Sequence, residues 1–178
     1  MQYVALLRGI NVGGNAKVAM PLLKQTFERA GFTEVKTYIN SGNVIFSSGS
    51  DAPSELCENI EVAIHQDFGF GVPVLVTSAD SLREIVAKTP ESWQNNSEMK
   101  TDVMFLWEAV DSPDTLKQLR ITPGMDDVVY HPGAIVWRVD REHQAKSGML
   151  DIVGTKLYKQ MTVRNINTVR KLVELMEP

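Results

Sequence analysis

Hydrophobic positions along the chain switch repeatedly between a period of two and a helical period. Tyr3 to Arg8 is rich in β-formers and apolar enough for a strand buried on both faces, and Met20, Leu23, Phe27 and Ala30 then recur at i, i+3, i+7 and i+10. Pro21 suits the first turn of that helix, and Gly31 suits its C-terminal cap. Val35 to Ile39 and Val44 to Ser47 read as two strands around Asn40-Ser41-Gly42-Asn43, residues that tolerate the positive φ of a tight hairpin. Pro53 opens a second helix with Leu56, Ile60, Ile64 and Phe68 on one face, which Gly69-Phe70-Gly71 ends before a strand at Val72 to Thr77. This β-α-β-β-α-β order over residues 2–78 predicts the split, ferredoxin-like arrangement, an antiparallel sheet with both helices on one face.

The second half echoes that order only in part. Ser78 can cap a helix carrying Leu82, Ile85 and Val86 that stops before Pro90, and the polar stretch Glu91 to Lys100 has the composition of a linker. Val103 to Trp107 predicts a strand, and Ser112-Pro113-Asp114 opens a helix holding Leu116 and Leu119. Val128 to Tyr130 and Ile135 to Val139 form a hairpin whose Pro132-Gly133 fits a type II turn. Two helices are expected after it, one with Leu150, Val153 and Leu157, the other with Val169, Leu172, Val173 and Met176. The expected fold class is α+β: a ferredoxin-like subdomain over 1–78, a connecting helix and linker over 79–100, and a second, smaller α+β subdomain over 101–178 with C-terminal helices. The groove between subdomains is the natural place for a ligand.

Composition narrows the class of molecule. With 178 residues, 43% hydrophobic and 22% charged, the chain can bury a core unaided by disulfides or a structural metal. Its lone cysteine, Cys57, has no partner within the chain. There is no run long enough to span a membrane and no basic n-region ahead of the first apolar residues, so the expected location is the cytoplasm. The net charge of −4 hides an asymmetry, because seven basic and two acidic residues fall between Arg141 and Lys171, a local +5. A sequence pI near 5.4 argues against a dedicated nucleic-acid binder, although solvated basic faces of this kind can attract phosphates or acidic partners.

Three segments hold more glycine and side-chain amide than a plain connection needs. The first, Arg8-Gly9-Ile10-Asn11-Val12-Gly13-Gly14-Asn15-Ala16-Lys17, joins a strand to a helix, where backbone N–H groups and the helix start can face an anion. It fails the P-loop pattern, since Asn15 and Ala16 stand where Lys and Ser or Thr belong, and it contains no GxGxxG. The second, Tyr38-Ile39-Asn40-Ser41-Gly42-Asn43, is also an ordinary turn composition. The third, Thr162-Val163-Arg164-Asn165-Ile166-Asn167-Thr168, precedes or opens the last helix, where Thr162 or Asn165 can cap free amides beside the forked guanidinium of Arg164. Catalytic constellations are otherwise absent: His65, His131 and His143 have no metal-ligand spacing and read as surface residues. Asp126-Asp127 is an adjacent pair that a strand would point to opposite faces, and Cys57 reads as a half-buried inert thiol.

At these same segments the sequence resembles a known family. Leu6-Leu7-Arg8-Gly9-Ile10-Asn11-Val12-Gly13-Gly14-Asn15, Thr37-Tyr38-Ile39-Asn40-Ser41-Gly42-Asn43-Val44 and Thr162-Val163-Arg164-Asn165-Ile166-Asn167-Thr168-Val169 are similar, in order and spacing, to the signatures of the bacterial domain-of-unknown-function family 1697. The resemblance implies an α+β protein of two subdomains and brings no activity, cofactor or catalytic residue. Ile166 departs from the aromatic that the motif leads one to expect there.

The functional expectation is a polar site between subdomains for a small anionic ligand, phosphorylated compounds being one class of candidate, with its cofactor unassigned, no metal and no membrane partner. Arg8, Lys17 and Arg164 would supply charge, Asn11, Asn15, Asn43, Asn165 and Asn167 oriented hydrogen bonds, and Gly13, Gly14 and Ser41 close approach. Whether the chain is an enzyme is left open by the residues; without a nucleophile or paired acids, catalysis would rest on positioning and electrostatics. The alternatives are a non-enzymatic module whose basic C-terminal helices dock an acidic protein or RNA, and a buried amide network that welds the fold.

Overall fold

The computed structural model describes residues 1–49 and 52–176. It is a mixed α+β structure that divides into two units, Met1–Asp80 with Leu175–Pro178, and Ser81–Glu174. Each is built on a four-stranded antiparallel sheet. The second of these units includes the stretch 81–100.

In the first unit β1 (Gln2–Leu7), β2 (Thr33–Tyr38), β3 (Asn43–Ser47) and β4 (Val74–Ser78) lie in the order β2-β3-β1-β4. Helix α1 (Met20–Arg29) joins β1 to β2, and α2 (Pro53–Phe68) joins β3 to β4. Successive side chains of a strand point to opposite faces, so Tyr3, Ala5 and Leu7 share a face with Val44, Phe46, Val74 and Val76. That face forms one core with Leu23 and Phe27 of α1 and Leu56, Ile60 and Ile64 of α2. Phe46 is its aromatic centre, with ring centroids 4.7 Å from Phe32, 5.5 Å from Phe27 and 5.8 Å from Tyr3. Val4, Leu6 and Ile45, on the other face, are buried as well, as the unbroken apolar run predicts. Pro21 and Pro53 lie in the first turns of their helices, and α2 ends on Gly69 at φ +79°, whose N–H donates to the His65 carbonyl.

In the second unit, following α3 (Ala79–Lys88), the strands β5 (Met99–Leu106), β6 (Asp126–His131), β7 (Ala134–Asp140) and β8 (Met161–Asn165) lie in the order β6-β7-β5-β8, and α4 (Ile166–Leu175) follows. The β6–β7 hairpin turns on Pro132-Gly133, with Gly133 at φ +85°. Two expected helices do not form here. The stretches expected as helices around Leu116 and Leu150 are short 3-10 turns, Pro113–Gln118, Arg141–Lys146, Gly148–Leu150 and Tyr158–Gln160. Side chains compete for the backbone in that stretch: Ser147 Oγ accepts from the Met149 N–H, and Thr155 Oγ1 donates to the Ile152 carbonyl and accepts from the Tyr158 N–H. The third signature segment holds strand β8 and runs straight into α4, in keeping with its expected place before or at the start of the last helix. The core of this unit gathers Met104, Leu106, Ile135, Trp137 and Val139 from the sheet with Met149, Ile152 and Leu157 from the irregular stretch.

Candidate functional site

The first two signature segments meet within the first unit. After β1 the chain turns sharply, and Val12 and Asn15 pair across a two-residue turn in which Gly13 and Gly14 sit at φ +60° and +80°. Two consecutive positive φ values define a type I′ turn, which is what the glycine pair is for. Asn11 takes the left-handed region itself, at φ +55°, a conformation asparagine tolerates. Its side chain then clasps the loop: Nδ2 donates to the Val18 carbonyl (3.0 Å) and the Asn40 carbonyl (2.9 Å), and Oδ1 accepts from the Val18 N–H (2.8 Å). One side chain thus ties the strand-one loop to the hairpin and to the approach of α1.

Asn43 does the same work inside the hairpin. It is fully buried, and its Nδ2 donates to the Tyr38 carbonyl (3.0 Å) and to Ser41 Oγ (3.1 Å). The carbonyl of Gly42, a residue at φ +84°, accepts from the Leu7 N–H (2.8 Å), and a Cβ on Gly42 would lie 2.7 Å from Ile10 Cδ1 and 2.8 Å from Leu7 Cβ. The amides of Asn11 and Asn43 are both engaged in holding backbone, Asn43 from a buried position, where a polar group must be paired, and Asn11 from an exposed one.

Beside this clasp lies an open depression of about 430 Å³ lined by Asn11, Gly14, Lys17, Asn40 and the first residues of α1. Lys17 is exposed and has no ion-pair partner among the described residues. The helix start it borders is bare: Ala19 at the N-cap offers no side-chain acceptor, and no acidic residue lies in the first turn. Arg8 and Asn15 belong to the same loop, Arg8 half-buried with its N–H donating to the Pro73 carbonyl (2.9 Å), Asn15 exposed. Asn40, whose carbonyl and position complete the depression, was not among the expected site residues, although it stands in the second signature beside Ser41.

The third segment belongs to the second unit. Arg164 points to the same side of β8 as Thr162 and is buried, with Nη1 donating to Thr162 Oγ1 (3.1 Å) and to the Val163 carbonyl (2.8 Å). Burial pushes its guanidinium down to about 10, which leaves it charged at neutral pH. Asn165 Oδ1 accepts from the Thr168 N–H (2.9 Å), the expected cap of α4, and Asn167 Nδ2 donates to the Asn95 carbonyl (2.8 Å).

Of the other titratable candidates, His131 is not a surface residue: it is buried, and its Nε2 has no hydrogen-bond partner among the described residues. Burial, with the neighbouring Lys88 charge, pushes its pKa down and keeps the imidazole neutral. Asp126 is buried too, while Asp127 pairs with Arg138 at 3.0 Å, so the two acids are separated as the strand period requires. Cys57 is half-buried, and burial raises its thiol pKa, which suits an inert thiol.

Comparison with known proteins agrees with the signatures. Residues 1–137 match the family described as a protein of unknown function, DUF1697, a stretch that holds the first two signatures and stops short of the third. Among solved structures, the conserved bacterial protein SP0830 from Streptococcus pneumoniae is similar over 99% of this chain and 98% of its own, at 26% identity and a TM-score of 0.84. No curated protein matches the chain.

Proposed function

We propose, from the premise that the chain belongs to the DUF1697 family, that its first unit binds a small anion of the phosphate class in the depression at the start of α1. The observation that carries this reading is the meeting of the Lys17 ammonium, which has no ion-pair partner among the described residues, with a helix start that has neither a capping side chain nor an acid in its first turn. The aligned peptide dipoles of a helix leave partial positive charge at such an end, and an anion is the natural complement. The reading narrows the expected site from three segments to the first loop and Asn40. Asn43, Arg164, Asn165 and Asn167 then serve the framework, each bonded to a backbone group or hydroxyl close by.

Strand order β2-β3-β1-β4 with α1 and α2 on one core supports the ferredoxin-like reading of this unit. Among the described residues no helix is long and apolar enough to cross a membrane, which supports, with the lone cysteine, a cytoplasmic place for the protein. The test is the unfolding midpoint in the presence of inorganic phosphate, pyrophosphate, nucleotides and sugar phosphates. A ligand at about 100 times its Kd adds about 2.7 kcal/mol, which raises Tm by roughly 5–11 °C in a chain of this size. Lys17→Ala is expected to fold with an unchanged midpoint and lose the shift. No shift from any anion, or a full shift in Lys17→Ala, contradicts the reading.

A further inference from the structure

The irregular stretch of the second unit encloses, with the chain around Arg120, a second cavity of about 270 Å³. Its floor is apolar, from Leu119, Ile152 and Leu157 over the buried Trp137, and its rim carries Arg120 and Lys156. The walls are fixed to each other by backbone. A Cβ on Gly148 would lie 1.5 Å from the Arg120 carbonyl oxygen, so the two chain segments touch where only glycine fits. The Gly148 N–H donates to Asp126 Oδ2 (3.0 Å), and Arg120 Nη1 pairs with Asp151 Oδ2 (2.6 Å) across the two walls. Beneath this floor Trp137 is fully buried, with Nε1 donating to Asp126 Oδ1 (3.1 Å).

The two rim cations differ. Arg120 is neutralised by Asp151, whereas Lys156 is exposed and has no partner among the described residues. The site therefore offers one net positive charge above an apolar floor, within the segment of the chain whose local charge is +5, from seven basic and two acidic residues. The Asp151 carboxylate on the same rim opposes a dianion more strongly than a monoanion. The volume equals about nine waters of liquid, which sets the ligand as small.

We infer that this cavity binds a small amphipathic monocarboxylate, its alkyl or aryl body against Leu119, Ile152 and Leu157 and its carboxylate at Lys156 Nζ. The site is separate from that of the proposed function and lies in the other unit. The experiment is a titration of the full chain with hexanoate, with 1-hexanol as the uncharged arm, followed by NMR at the Trp137 indole N–H and the Ile152 and Leu157 methyls. Saturable shifts at these three positions are expected. Lys156→Ala, at an exposed position, should weaken hexanoate about tenfold and leave hexanol unchanged. Lys159→Ala, an equal loss of charge outside the cavity, and Lys17→Ala, in the other unit, should change neither. Absence of saturable shifts at the three positions overturns the inference, as does hexanol binding as tightly as hexanoate, or Lys159→Ala weakening hexanoate as much as Lys156→Ala does.

Discussion

Single side chains hold much of this structure by satisfying backbone groups that loops leave over. Asp126 is the clearest case, accepting from Ser147 Oγ and the Gly148, Thr122 and Trp137 N–H groups from a buried position in β6. Burial alone pushes its carboxyl pKa up, but those donors, Ser147 foremost, together hold it below the usual carboxylate range. A folded pKa below the unfolded one contributes stability that is present above the unfolded value, about 3.9, and is lost as pH falls through the folded pKa. Asp126→Asn removes the charge and turns a donor toward donors, so it should cost about 3 kcal/mol, read as a Tm roughly 6–12 °C lower at pH 7, with a shallower loss of stability in acid. Gly42 gives a steric counterpart. Gly42→Ala places a methyl 2.7 Å from Ile10 Cδ1 at a φ of +84°, and chemical denaturation should find it destabilised by about 2 kcal/mol or more.

At the scale of elements, the third signature proves to be a strand that turns straight into a capped helix. Asn165 is its cap, so Asn165→Ala should lower stability by about 1 kcal/mol, whereas Asn165→Asp, which keeps the acceptor and adds favourable charge at a helix start, should lose little or nothing. The same region shows where a linear reading fails. Leu150 and Val153 are three apart, and that spacing belongs to a 3-10 turn as much as to an α-helix, so apolar period alone could not separate the two. Strand β8 was hidden by its mixed composition, in which Thr162, Arg164 and Asn165 leave only Met161 and Val163 apolar and a charge takes a buried position. In the first half every element was legible, because proline opens and glycine closes the helices and the strands alternate cleanly or run fully apolar. The chemistry was legible only as composition. That Asn11 and Asn43 would spend their amides on backbone follows from which carbonyls the loops bring near, and no residue pattern encodes it.

For the molecule as a whole, the framework and the candidate binding groups separate. The signature asparagines build loops, and what remains open for a ligand in the first unit is the Lys17 ammonium and the bare start of α1. If this is an anion site, its affinity draws on exposed charge and should fall as salt rises from 50 to 500 mM, conditions under which the Debye length shrinks from about 14 to about 4 Å. The most direct test is an amide NMR titration of the full chain with inorganic phosphate. The account predicts saturable shifts concentrated at Gly14, Lys17, Met20 and Leu22 and abolished by Lys17→Glu. Shifts that do not saturate, or that are scattered over both units and persist in Lys17→Glu, would contradict it.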